Sequence, residues 1–197
     1  MSKYQKFVDD KMHEISKEMD ILDIGGGDRF QKWLLPYKKL FDKTNYMTMD
    51  YDSKTGADVV GDIHNIPLKS DSLDAIICSS VLEHVKDPIR AVIELRRVLK
   101  PGGKIFVYVP SIYPYHARKG SYPDYWRFFD DTLFFMFADF SRVELVKRGG
   151  YFKTLFFFIP MQHRLKFIIE PLGTFMDSVF KTESRTTTSG YYLYAVK

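Results

Sequence analysis

Residues Ile21–Phe30 read ILDIGGGDRF, an apolar run closed by an acid, then three glycines and two charged residues. Three successive glycines cost backbone entropy on folding, so something must use the missing Cβ atoms. A strand running into such a turn offers three explanations. It can cradle a dinucleotide phosphate, admit a nucleoside cofactor without phosphate, or simply make a tight strand-to-helix turn.

Outward from this stretch the chain alternates strand-like and helix-like segments. Residues 3–19 are predicted helical, with Phe7, Met12, Ile15 and Met19 on one side. Residues 29–41 follow as a second helix that Pro36 should end or kink. Short strands are expected at 21–24, 46–50, 57–60, 73–79 and 104–109. Asp87-Pro88 reads as an N-cap followed by a first helical proline, and Lys100-Pro101-Gly102-Gly103 as the stop. Residues 111–129 have no period and read as a long loop, 130–140 as a helix, 142–147 as a strand, and 191–196 as a last strand. Residues 151–180 are strongly apolar and predicted helical, broken at Pro160 and Pro171-Leu172-Gly173. This pattern predicts one α/β domain, a doubly wound and mostly parallel seven-stranded sheet with helices on both faces. Its parts are an N-terminal helix at 1–19, a half at 20–110 built around the glycine turn, and a second half at 111–197.

Composition narrows the function classes. The 197 residues are 45% hydrophobic and 27% charged, with a net charge of +4, ordinary for one soluble domain. That excess is too small and too scattered for a nucleic-acid surface. One cysteine, Cys78, excludes an internal disulfide and fits a reducing, cytoplasmic setting. Neither a signal peptide nor a membrane span is expected.

In an open α/β sheet, ligands bind beyond the carboxyl ends of the strands, and the informative residues fall there. Asp23 and Gly25–Gly27 follow strand one, Asp50 closes strand two, Asp62 follows strand three, and Ser79–His84 follow strand four. A dinucleotide fingerprint needs a third glycine where Phe30 stands, and Asp28 would repel a pyrophosphate. A cofactor with an ammonium and a ribose but no phosphate fits better. Asp23 would attract its ammonium and backbone N–H groups its carboxylate. Asp50 would accept from ribose hydroxyls, and Asp62 from an adenine amine with Ile63 against the ring.

Together ILDIGGGD, MTMDYD, GDIHNIPLKSDSLDAIICSSVLEHVKDP and ELRRVLKPGG resemble a class I S-adenosylmethionine-dependent methyltransferase over residues 21–110. The resemblance implies a Rossmann-like methyltransferase fold with S-adenosyl-L-methionine as cofactor. It implies that Asp23, Gly25 and Gly27 hold the methionine end, with Gly26 between them. It also assigns Asp50 to the ribose, Asp62 and Ile63 to the adenine, and the Ser79 backbone to the methionine, with Tyr51 and Ser80 beside them. Where many such proteins carry a last glycine, Asp28-Arg29 stands here.

The loop YPYHARKGSYPDYWRFF, 113–129, resembles that of methyltransferases associated with polysaccharide or glycolipid assembly. Tyr113, Tyr125 and Trp126 would stack on an acceptor, and Arg127 would orient a carboxylate or phosphate. His116, Asp124 and His84, in that order, are candidate bases for a hydroxyl acceptor. Loop anchoring by Trp126 and an Asp124–Arg127 pair is the alternative. Glu83 and His84 alone are too few for a metal site, so no metal is expected. Residues 152–180 are expected to pack in the core, with a lid, a dimer surface or peripheral membrane contact as alternatives. The function expected is methylation, O-directed, of a saccharide, a saccharide-linked intermediate or another small molecule. The competing readings are a non-catalytic cofactor-binding module and a nicotinamide-dependent oxidoreductase.

Overall fold

The computed structural model describes residues 2–30, 32–159, 164–182 and 187–197. Helix α1 (Lys3–Ile15) starts at a capping box in which Ser2 and Gln5 satisfy each other's backbone donors, and it buries Val8, Met12 and Ile15. Strand β1 (Asp20–Ile24) is buried from Ile21 onward. The segment after the glycines is not the expected α-helix. Lys32–Phe41 winds as a 3-10 helix around Pro36, which has no N–H for an α-helical bond.

Strands β2 (Asn45–Asp50), β3 (Val59–Val60) and β4 (Leu73–Ser79) follow, β3 shorter than expected. Helix α2 (Pro88–Val98) opens as read, with the Asp87 side chain accepting from the Arg90 N–H. Strand β5 (Leu99–Pro110) starts directly at the end of α2, so Pro101-Gly102-Gly103 lie inside the strand rather than before it. Helix α3 (Asp130–Met136) and strand β6 (Arg142–Lys147) lead to two helices, α4 (Tyr151–Phe156) and α5 (Lys166–Val179). Strand β7 (Gly190–Val196) ends the fold.

The seven strands form one sheet in the order β3-β2-β1-β4-β5-β7-β6. β1 lies parallel between β2 and β4, with Ile24 opposite Met49 and Cys78. β7 is antiparallel to both β5 and β6. The order reverses direction between β1 and β4, which opens a crevice at their carboxyl ends. One face packs on α2 and α3 through Leu22, Ile76, Leu95 and Phe137, the other on α1 and the 3-10 helix through Met12, Ile21, Ile77 and Phe106.

Two expectations for residues 151–180 are corrected. Pro171 does not break α5 but lies within it, in its second turn; Pro160 lies outside the described residues. Much of the segment is not core, because Phe158, Phe167, Ile168, Phe175, Val179 and Phe180 are exposed. A polar cluster ties α4 to α5. The buried Asp177 carboxylate accepts from the N–H groups of Gly150, Phe152 and Lys153 and from the Thr182 hydroxyl. No described helix is long and apolar enough to cross a membrane.

Candidate active site

The glycine turn answers the question that its sequence raises. Gly25 and Gly27 take left-handed φ values of 73° and 49°. A Cβ on Gly25 would come within 2.6 Å of the Val81 side chain, and one on Gly26 would collide with the Asp23 carboxylate. The missing Cβ atoms therefore let Asp23 lie directly under the turn. Asp23 is only 3% exposed, and its Oδ2 accepts from the Tyr46 hydroxyl at 2.7 Å. Burial pushes its carboxyl up to about 7, against the opposing effect of that hydrogen bond. Phe30, in the third-glycine position, also has positive φ, and its ring stacks on Tyr46 at 4.2 Å. That position serves the core, not a phosphate.

From Asp23 a cleft of about 770 Å³ runs across the strand ends. Gly25, Gly26, Asp50, Tyr51, Asp62, Ile63, Ser79 and Ser80 all line it; Gly27 is buried behind the turn. Asp50 keeps most of its carboxylate available, with Oδ1 accepting from the Asp52 N–H. Asp62 accepts from both the backbone N–H and Nδ1 of His64. Its carboxyl sits below the usual range, since these bonds outweigh the burial that opposes them. Trp33, Met49 and Val81 supply apolar wall that the sequence reading did not include.

The other end of the cleft is built by the loop after β5. Tyr125 and Trp126 donate their backbone N–H groups to the Glu83 carbonyl, docking the loop on the turn after β4. His84, Tyr113, His116, Tyr122 and Tyr125 face the cleft here, joined by Tyr108 and Arg148. Three residues expected at the acceptor end do not line it. Asp124 and Arg127 form a bidentate pair at 2.6 and 2.7 Å, the Asp124 side chain fully buried. Arg127 spends its other N–H groups on the carbonyls of Tyr113, Pro114 and Trp126. Its five donors thus have five acceptors within the loop. Trp126 donates its indole N–H to the Val85 carbonyl. Asp124, Trp126 and Arg127 accordingly hold the loop together rather than meeting an acceptor directly.

What they position is His116. Asp124 accepts from the His116 backbone N–H at 2.8 Å and lies 3.2 Å from its Nδ1. The opposite nitrogen, Nε2, is 3.7 Å from Glu83 Oε1. Glu83, aided by Asp124, holds the His116 imidazole above its usual range despite partial burial. His84 is fixed similarly, with Nδ1 against the Pro123 carbonyl and Nε2 3.9 Å from Glu83. Both oxygens of the Glu83 carboxylate are buried and have no hydrogen-bond partner among the described residues.

Glu83, His84 and His116 present ligand atoms within 4.8 Å of one another. The sequence reading counted two metal ligands, but the fold brings a third from a loop more than thirty residues away. One carboxylate and two imidazoles are a donor set that a divalent cation can use. Cys78 is buried beneath the site, and burial pushes its thiol far up, which makes it unreactive.

The cleft's cofactor end fits a nucleoside with an ammonium group: a buried carboxylate short of a cation, a Cβ-free turn over it, and two carboxylates along its length. Comparison with known proteins agrees with the fold. A family described as "Methyltransferase domain" matches residues 22–107. The chloroplastic 2-methyl-6-phytyl-1,4-hydroquinone methyltransferase of Arabidopsis thaliana is 27% identical over 148 residues, 68% of this chain and 40% of that protein. A ubiquinone biosynthesis O-methyltransferase of Xanthomonas oryzae pv. oryzae is 50% identical over 36 residues, 18% of this chain and 15% of that protein. The chain thus spans less than half the length of these curated relatives. A SAM-dependent methyltransferase from Archaeoglobus fulgidus superposes with a TM-score of 0.59 at 15% identity, over 98% of this chain and 94% of that one, a likeness of fold. Residues 22–107 thus match a methyltransferase-domain family, and the whole chain shares its fold with a SAM-dependent methyltransferase of known structure.

Proposed function

We propose that the protein transfers a methyl group from S-adenosylmethionine to a hydroxyl oxygen on a ring-shaped small-molecule acceptor. The observation that carries this reading is the buried Asp23 carboxylate beneath the glycine turn, opening onto a cleft lined by Asp50 and Asp62. The bound cofactor supplies a methyl group on a sulfonium, already activated toward a nucleophile. Asp23 holds its ammonium, Asp50 accepts from its ribose hydroxyls, and Asp62 with Ile63 receives its adenine.

At the acceptor end, His116 takes the hydroxyl proton at Nε2, while Asp124 holds the ring through Nδ1–H. Glu83 stabilises the resulting imidazolium across the short gap to Nε2. His84 meets the His116 ring edge-on at 5.0 Å and Tyr113 does so at 5.3 Å, which fixes the imidazole plane. Alignment of this kind is worth up to ~7–11 kcal/mol of barrier.

The saccharide reading rested on the loop's resemblance and on aromatic faces beside a carboxylate and a guanidinium; here Asp124 and Arg127 pair with each other and the Trp126 indole bonds the Val85 carbonyl. The tyrosines left facing the cleft suit a flat ring. The relatives named above support this, since their names specify hydroquinone and ubiquinone chemistry.

Titration calorimetry with S-adenosylhomocysteine, and with NADH as control, tests the cofactor. About micromolar binding of the nucleoside and none of NADH is expected. Preference for NADH would restore the oxidoreductase reading. A His116→Ala variant that keeps nucleoside binding but loses methyl transfer to phenolic acceptors would separate an enzyme from a binding module.

A further inference from the structure

Two arginines stand by the acceptor end, and they are used differently. Arg127 has every N–H bonded inside its own loop. Arg148 follows β6, where its backbone is pinned to β7 by the Gly190 carbonyl and the Ser189 hydroxyl. Its side chain lines the cleft and, among the described residues, makes one hydrogen bond, from Nη1 to the Tyr108 hydroxyl at 2.7 Å. The guanidinium carbon lies 5.3 Å from the ring centres of both Tyr108 and Phe157. No carboxylate among the described residues lies within ion-pair distance of it.

A partly buried guanidinium flanked by aromatic rings, with most of its N–H fork unbonded among the described residues, is built for a planar anion. The rings continue toward the reacting end, because Phe157 contacts Tyr113 at 5.2 Å and Tyr113 contacts His116. We propose that Arg148 is the acceptor's anion-binding residue, so the acceptor is an aromatic or otherwise flat ring bearing a carboxylate or a phosphate. This rests on the methyltransferase reading of the cleft for the word acceptor, but the anion site stands on Arg148 itself.

The sequence pointed to Arg127 for this task, and the hydrogen-bond count transfers it to Arg148. The two residues make opposite demands on a variant. Removing Arg127 should disturb the loop. Removing Arg148 should spare nucleoside binding and abolish the preference for anions.

The test is calorimetric titration of the full chain with benzoate, phenyl phosphate and neutral benzamide, each with and without S-adenosylhomocysteine. Wild-type protein is expected to bind at least one anion about tenfold or more tightly than benzamide. Benzoate against phenyl phosphate tells a carboxylate site from a phosphate site. Arg148→Gln should erase the preference and Arg148→Lys restore part of it, both keeping S-adenosylhomocysteine binding as proof of fold. Equal binding of benzamide and both anions, or no binding of any, overturns the proposal. So does an anion preference unchanged in Arg148→Gln. If Arg148→Gln does not fold, the wild-type and Arg148→Lys comparison decides alone. Failure of S-adenosylhomocysteine to bind wild-type protein would instead overturn the cofactor reading, and the anion preference would still report on Arg148.

Discussion

The two ends of the cleft are made in different ways. The cofactor end is assembled from the last residues of parallel strands and the first residues beyond them, so its side chains are placed by sheet register. The acceptor end is assembled from one long loop, the turn after β4 and the end of β6, so side-chain bonds place it. The first end presents carboxylates to a ligand. The second consumes a carboxylate and a guanidinium internally to present His116, tyrosines and Arg148.

If this contrast holds, damage to one end should leave the other standing. The largest effect is expected for Asp124→Ala. It leaves Arg127 without its partner and should cost about 3 kcal/mol in urea unfolding, while S-adenosylhomocysteine affinity changes little. A parallel loss of nucleoside binding would mean that the two ends are one unit. Asp50→Ala should do the reverse, weakening S-adenosylhomocysteine about a hundredfold by calorimetry with little change in unfolding free energy.

Asp177→Ala should lower stability by about 2 kcal/mol, because its carboxylate caps three N–H groups at the start of α4. The same variant should blunt anion binding at Arg148, which immediately precedes that turn. The smallest effect concerns protons. The Asp23 carboxyl is raised from 3.8 to about 7, so the folded chain binds an extra proton between those values. Its contribution to stability is full below about pH 4 and is lost as pH rises through about 7. An ammonium beside Asp23 favours the ionised form. Binding of S-adenosylhomocysteine near pH 6 should therefore release up to about one proton, and almost none at pH 8.5. Calorimetry in buffers of differing ionisation enthalpy reads this directly, and Asp23→Asn should abolish the release.

How far each end is legible in the sequence follows from the same contrast. A buried strand ending in an acid announces its own ligand-facing position, so Asp23, Asp50 and Asp62 are found by counting along β1, β2 and the chain after β3. The Phe30 position was legible as a departure from the dinucleotide pattern, although its stacking on Tyr46 was not. In the loop, residue type was readable and partnership was not. A sequence shows that Asp124 and Arg127 are three apart, but only the structure shows all five guanidinium donors satisfied. His116 and Glu83 are far apart in the chain and meet only because the loop docks on the Glu83 carbonyl. Arg148 could have been noticed as a cation just after β6, beside two glycines. Its single side-chain hydrogen bond among the described residues, which gives it meaning, could not. The apolar run at 151–180 misled in the other direction, since helical spacing does not say which face is covered.

The most direct measurement is a crystal structure with S-adenosylhomocysteine. Ribose hydroxyls are expected within hydrogen-bond distance of the Asp50 carboxylate, the amino-acid ammonium near Asp23, and the sulfur facing the end of the cleft that holds His116 and Arg148. A nucleoside bound elsewhere, or reversed so that Asp50 is unbonded and the sulfur points away from His116, would contradict it.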